Sequence, residues 1–370
     1  MKKDWVYKKL GEVANVIHGK NQKEVLSTNG KYPIYGSGGT IMGYATEYLC
    51  EAGTTILGRK GTINNPQFIN HKFWNVDTAF GISARKDIDS KFLYFFIKKQ
   101  DWSKMNTGTT LPSLTQAIVK NVIIPVPPLS EQKEIVEYLD SSFAKIDKLK
   151  ENAAKNLEEA KALSQSALKN ALEPKEGWEE KKMVEVCTIE RGGSPRPIKK
   201  FLTKEENGLN WIKIGDTDPQ GKYIYSTAEK IIPEGLKKSR WVDVDDFLLS
   251  NSMSFGRPYI LKTNGCIHDG WLVLRNYQNF MNIDFFYYLL ISPLVQRQFK
   301  IKAQGSTVSN LNTQRVADVA IYIPPLPEQQ SIVSFLDSLN EKVNTLQQNY
   351  SRICDECDAL KQAILRQVFE

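Results

Sequence analysis

The chain has 370 residues, 41% hydrophobic and 25% charged, with a formal net charge of +7; this fits an ordinary globular protein with room for two or three domains. No apolar run approaches the ~20 residues that span a bilayer, and the opening "MKKDWVYKKLGEV" has lysines but no apolar core of a secretory signal. Five scattered cysteines, an odd number, suggest a reducing cytoplasm and not a disulfide framework.

In chain order, the first block (1–128) holds 17 basic and 9 acidic residues, a net of +8. Its "GSGGT" (36–40) lacks the strand–glycine–helix context of a dinucleotide site and reads as a loop. "GTTILGRKG" places Gly53 and Gly58 at phosphate-loop spacing, but Arg59 precedes Lys60 and no Ser or Thr is placed to hold magnesium. "INNPQF" lacks the second proline of an adenine methyltransferase motif and reads as a turn. Pro125, Pro127 and Pro128 are expected to end the strand made by "NVIIPV", because proline donates no ladder hydrogen bond.

A long helix follows over 129–173, net −2, with Ser130 as a start signal of N-cap type and Glu131 favouring the positive end of the helix dipole. Its 3–4 seam runs Leu139, Ser142, Ile146, Leu149, Ala153, Asn156, Ala160, Leu163, Ala167, with a second stripe at Phe143, Leu157, Leu168 and Leu172. "EPKEGW" (173–178) reads as a linker. The second block (174–325) carries a net of +4. His268 and Asp269 within it have no nucleophile context and read as a strand end or core position. Trp74, Trp211 and Trp271 read as core aromatics. A second long helix occupies 326–370, net −3, with Pro327 in its first turn and a fuller seam: Leu336, Leu339, Val343, Leu346, Tyr350, Ile353, Cys357, Leu360, Ile364. Cys354 and Cys357 form a lone CxxC with no partner pair, and His18, His71 and His268 have no metal-ligand spacing, so Cys357 reads as a small buried hydrophobe.

The halves echo each other. "WVYKKLGEVANVIHG" matches "WEEKKMVEVCTIERG" at an offset of 173, "KFLYFF" resembles "DFFYYL" at 193, and "PPLSEQKEIVEYLD" (127–140) matches "PPLPEQQSIVSFLD" (324–337) at 197. The offset grows by 24 inside the basic blocks and then holds, so the blocks accept insertions and the helices do not. Such a tandem repeat can fold with pseudo-twofold symmetry. If the helices pair antiparallel, the blocks stand at opposite ends of a rod.

A proline-rich "PLxEQ" phrase that ends a variable domain and opens a helix, occurring twice, closely resembles the specificity subunit of type I restriction–modification systems. "KYPIYGSGGTIMGY" (31–44), "TILGRKGTI" (55–63) and "FWNVDTAF" (73–80) resemble recognition-domain segments, as do "WIKIGDTD" (211–218), "DDFLLSNSMSFGRP" (245–258) and "CIHDGWLVLR" (266–275). "GTT" (108–110) and "GST" (305–307) match the small-residue turn before the last strand.

The resemblance implies an α+β fold: two mainly-β target-recognition domains, each followed by a long helix, the helices pairing as an antiparallel coiled coil with pseudo-twofold symmetry. It implies that the domains read the halves of a bipartite site on double-stranded DNA, with the helices setting the spacing. It implies that the helices dock two methyltransferase subunits that use S-adenosylmethionine, that a restriction subunit can join, and that this chain is not itself an enzyme. Base reading takes short polar or bidentate side chains on loops, with basic residues on phosphates. The candidates are Lys20, Asn21, Ser37, Arg59, Lys60 and Thr109 in the first block, and Ser194, Arg196, Lys199, Ser252, Ser254, Arg257 and Thr307 in the second. Two other readings compete: a coiled-coil adaptor presenting two protein-binding domains, and a nuclease, for which no convincing carboxylate or metal cluster is evident.

Overall fold

A computed structural model describes residues 5–219, 221–251, 255–303 and 310–370. The chain divides into two compact units. One comprises Met1–Lys155 with Asn349–Glu370, the other Asn156–Gln348. Each is α+β.

In the first unit, one antiparallel sheet orders its strands Ala14–His18, Ala79–Ala84, Thr54–Gly58, Gln67–Ile69. Thr54–Gly58 is buried at every position, as an inner strand covered on both faces should be. A smaller sheet sets Tyr32–Tyr35 between Ile41–Ala45 and Trp74–Asn75, the latter pairing being parallel. The helix Ser90–Lys99 starts at Asp89, whose carboxylate accepts from Lys91 N (2.8 Å) and Phe92 N (3.0 Å). It buries Phe92, Leu93, Phe95, Phe96 and Ile97 in a core that also takes Leu139 and Phe143 from the first long helix and Leu365, Val368 and Phe369 from the second. A two-stranded ribbon pairs Val6–Lys9 with Ile123–Val126.

The second unit repeats this frame with additions. Its main sheet runs Thr188–Arg191, Trp271–Arg275, Phe247–Ser250, Pro258–Leu261, Tyr223–Ile224. Its smaller sheet runs Leu202–Thr203, Glu229–Ile231, Leu209–Ile212, Gly265–Ile267, Arg240–Val242, again with one parallel pair, Leu209–Ile212 beside Gly265–Ile267. The ribbon is Glu179–Lys182 with Ala320–Ile323. Beyond the strands matched in the first unit, Tyr223–Ile224 extends the main sheet and Leu202–Thr203 and Arg240–Val242 flank the smaller one. Corresponding ladder pairs are Tyr35↔Asn75 in the first unit and Ile212↔Ile267 in the second, where the offset has reached 177 on one strand and 192 on the other.

The two long helices are Leu129–Ala171 and Leu326–Phe369. Within the first unit Lys150 Nζ meets Asp358 Oδ1 at 2.9 Å and Lys361 pairs with Asp147, so the partner's number falls as the first helix's rises. In the second unit Ser164 Oγ bonds Asn340 Oδ1 at 3.1 Å and Lys175 Nζ reaches Glu328 Oε1 at 3.6 Å, with the same sense. The helix segments in each unit therefore contact one another and run in opposite directions.

The structure departs from the sequence expectations at four points. Pro125 lies inside the strand Ile123–Val126, opposite Tyr7. A two-stranded ribbon has a free edge on each side, so a missing N–H is tolerated there. Ser130 is not the N-cap: the helix already includes Leu129, so Ser130 stands in the first turn. The seam of the first long helix also differs. Leu149 and Leu163 are exposed, while Phe143 and Leu157 are buried and Ser164 is bonded to the other helix. The inward line is thus Leu139, Phe143, Ile146, Lys150, Ala153, Leu157, which merges the two stripes read from the sequence. In the second helix Leu336 and Cys357 are buried, but Leu346 and Leu360 are exposed, so its seam is interrupted. Trp74, Trp211 and Trp271 are core residues, as expected. Among the described residues, no helix is long and apolar enough to cross a membrane.

Candidate nucleic-acid interface

Each domain is bolted to its long helix by the repeated phrase. Trp5 Nε1 donates to Glu131 Oε1 at 3.1 Å, and Trp178 Nε1 to Glu328 Oε2 at 3.2 Å. Gln132, fully buried, donates to the Asp87 carbonyl (3.2 Å) and the Pro127 carbonyl (2.9 Å) and accepts from Asp89 N (2.8 Å). Gln329 does the same with the Phe280 carbonyl (3.0 Å), the Pro324 carbonyl (2.9 Å) and Asn282 N (2.8 Å). Both glutamines thereby tie the start of a long helix to the cap of a short one. The sequence marks the two Glu-Gln pairs but not their partners outside the phrase, which lie 43 to 126 residues away in the first copy.

At one end of each main sheet, three chain segments meet in a shared frame. In the first unit Gly19 N donates to the Ala79 carbonyl and Lys20 N to the Asn75 carbonyl, both at 3.0 Å. In the second Gly192 N donates to the Trp271 carbonyl (3.0 Å) and Gly193 N to the Ile267 carbonyl (3.1 Å). A β-carbon at Gly19 would fall 1.9 Å from the Val76 carbonyl oxygen, and one at Gly192 2.1 Å from that of His268. Only glycine permits that approach. The third segment follows the inner strand. Leu114 N donates to the Arg59 carbonyl (2.8 Å) and Leu311 N to that of Asn251 (2.9 Å). Arg59 Nη1 donates to the Asp77 carbonyl at 3.1 Å, and Asn251 Nδ2 to the Asp269 carbonyl at 2.8 Å. By backbone bonding, then, Asp77 corresponds to Asp269 and Arg59 to Asn251.

This frame gathers most of the first block's candidates. Lys20, Arg59 and Lys60 stand around the 75–79 turn, with Lys60 N bonded to the Thr78 carbonyl at 3.1 Å. Ser37 is adjacent, because its side-chain oxygen lies 3.8 Å from where Gly61 would carry a β-carbon. The turn bearing Thr109 is stapled by Asn106 Oδ1, which accepts from Gly108 N and Ser113 N at 2.8 Å each, and it reaches Gly61 through the Pro112 carbonyl at 2.9 Å. Asn21 caps its own turn by accepting from Lys23 N at 3.0 Å.

In the second block Ser194 and Arg196 gather on Asp269: Ser194 Oγ lies 2.6 Å from Oδ1 and Arg196 Nη2 3.3 Å from Oδ2. Lys199 lies on the wall of a cleft of about 1220 Å³ shared with Arg196, Trp211, Lys213 and His268. Arg257 sits apart, donating to the Gly221 carbonyl at 3.3 Å and lying over Tyr259. Ser252, Ser254 and Thr307 fall outside the described residues. Asp269 and Asn251 were missed by sequence reasoning; the match of "FWNVDTAF" to "CIHDGWLVLR" at an offset of 192 is the signal that pairs Asp269 with Asp77.

Electrostatics sharpen this corner. The Ser194 hydroxyl holds the Asp269 carboxyl below its ordinary range. Ile214 N (3.2 Å from Nε2) and Gly270 N (2.8 Å from Nδ1) flank the His268 ring, of which a neutral imidazole accepts one, and burial lowers its pKa, so it favours the neutral form. Burial pushes the Cys50 and Cys187 thiols up to about 12, which makes them inert core groups. Among the described residues no group of three or more His, Cys, Asp or Glu side chains could hold a metal ion.

A duplicated α+β domain, each copy keyed to a long helix by a buried glutamine, defines the class to which the chain is compared. Residues 2–159 and 175–353 match the type I restriction modification DNA specificity domain, and the chain belongs to that family. It is 26% identical over 355 residues to a putative type I restriction enzyme specificity subunit of Haemophilus influenzae, covering 92% of this chain and 89% of that one. It is 24% identical over 391 residues to the MjaVIII specificity subunit of Methanocaldococcus jannaschii, covering 92% and 87%. In fold it is similar to a chain from a solved structure of a type I R-M system concerned with complex assembly and conformational transition (TM-score 0.78, 21% identity, 100% and 98% covered). It is also similar to the HsdS subunit from Thermoanaerobacter tengcongensis (TM-score 0.62, 21% identity, 100% and 97% covered).

Proposed function

We propose that the chain is the DNA-specificity subunit of a type I restriction–modification assembly. Residues 1–128 and 174–325 act as two recognition domains, each reading one half of an asymmetric bipartite site. Residues 129–173 and 326–370 form an antiparallel coiled coil that fixes the spacing between the halves and docks two methyltransferase subunits. The chain itself performs no catalysis; S-adenosylmethionine belongs to the partner subunits, and a restriction subunit can join them. The observation that carries this reading is the shared frame with unlike occupants. Backbone bonds at Gly19 and Gly192 are the same, yet Arg59 in one domain is replaced by Asn251 in the other. One scaffold with different loop chemistry suits two different half-sites, where a homodimer would read a palindrome.

Lys20, Asn21, Ser37, Arg59, Lys60 and Thr109, and Ser194, Arg196, Lys199, Ser252, Ser254, Arg257 and Thr307, supply the contacts in this reading. The test is the salt dependence of DNA affinity for the chain assembled with its modification subunits. Affinity should fall steeply and linearly on a log–log plot, because basic residues that neutralise phosphates release counterions. A flat dependence would instead favour an adaptor that presents two protein-binding domains.

A further inference from the structure

We infer that Asp269 is a positioning residue that aims Arg196 at a guanine in the half-site read by the second domain. The inference rests on the DNA-specificity reading above and names the base and the device.

Asp269 is the hub of its corner. Its carboxylate accepts from Ser194 Oγ at 2.6 Å and pairs with Arg196 Nη2 at 3.3 Å; its carbonyl accepts from Asn251 Nδ2 at 2.8 Å and Arg191 Nε at 3.2 Å. Stability does not explain the ion pair. The Arg196 side chain is 80% exposed and that of Asp269 43%, and exposed pairs contribute little. Orientation does explain it. Ser194 fixes the carboxylate, the buried Asn251 fixes the backbone carbonyl behind it, and the carboxylate holds one edge of the guanidinium.

Among the described residues nothing else takes the guanidinium's remaining donors, whose planar array suits the paired N7 and O6 acceptors of guanine. A phosphate contact would not be built this way. The neighbouring carboxylate cancels the charge that attracts a phosphate but leaves the directional hydrogen bonds intact. In the first domain the corresponding Asp77 offers its carbonyl to Arg59, and its exposed carboxylate meets no arginine among the described residues. The device therefore belongs to one domain.

The experiment uses the chain assembled with its cognate modification subunits, given duplexes randomised across both half-sites, with methylated products sequenced. The wild-type complex should prefer guanine at one position of the second domain's half-site. Arg196→Ala and Asp269→Asn should each relax that position by about five- to a hundred-fold, leaving the other half-site and the gap unchanged. Ser194→Ala removes the hydroxyl that bonds the carboxylate and Asp269 N but leaves Asn251 and Arg191 on the Asp269 carbonyl; it should relax the same position less, and it stands in if Asp269→Asn does not assemble. Uniformly lower methylation by Arg196→Ala with the motif intact would make Arg196 a phosphate contact and overturn the inference. Loss of the preference with Arg196→Ala but not with Asp269→Asn or Ser194→Ala would remove the positioning role. A wild-type complex without a two-part motif would overturn the underlying reading itself, and this inference with it.

Discussion

At the scale of single residues, the joint between each domain and its helix rests on buried polar groups. Gln132 is enclosed completely and satisfies three backbone groups at once, so its truncation strands donors and acceptors in the core. Gln132→Ala and Gln329→Ala should each cost about 1–3 kcal/mol, read as a lowered urea midpoint. Gly19→Ala and Gly192→Ala should destabilise through collision with a backbone carbonyl, which cannot rotate away as a side chain could. His268 gives a pH dependence whose sign is fixed. Burial lowers its pKa below 6.5 in the folded state, so the unfolded chain takes up the proton first as pH falls. Its contribution is complete above about pH 6.5 and is lost as pH falls through the depressed value. The urea midpoint should therefore decline less steeply below pH 6.5 in His268→Gln than in the wild type.

At the scale of elements, the helices were the most legible part of the sequence and the strands the least. A 3–4 pattern over forty residues is hard to mistake, and both long helices stand where it put them. Its fine register was less secure. Small residues such as Ser142, Ala153 and Ala160 carry a weak signal, so Leu149 and Leu163 drew the seam onto an exposed line. The interface was legible only as residue types: nothing local to Asp269 announces its partners, because Ser194 lies 75 residues away. Helix direction decides where insertions would lengthen the spacer. Ala160 and Cys357 are equivalent in the repeat but not opposite each other, since Cys357 neighbours Asp358, which faces Lys150. Four residues inserted after Lys155 and four after Tyr350 fall between the Lys150–Asp358 and Ser164–Asn340 contacts in both helices. They add about 6 Å to each. In the proposed reading, the recognised gap should grow by about two base pairs with half-site bases unchanged, as mapped by sequencing methylated DNA; altered bases would contradict the domain assignment.

At the scale of the molecule, the repeat is a duplicated frame whose parts have diverged unequally. The ribbon, the short helix and the glutamine joint are alike in both units, while the sheet margins and the side chains around Gly19 and Gly192 are not. Divergence is thus greatest where the proposed reading puts DNA and least where each domain meets its helix. The most direct measurement is the methylation motif of cells that express this chain with its cognate modification subunits. The account predicts one asymmetric motif of two unlike halves separated by a fixed gap, with Arg59→Ala altering only one half and Arg196→Ala only the other. A continuous or palindromic motif, or no methylation at all, would contradict it.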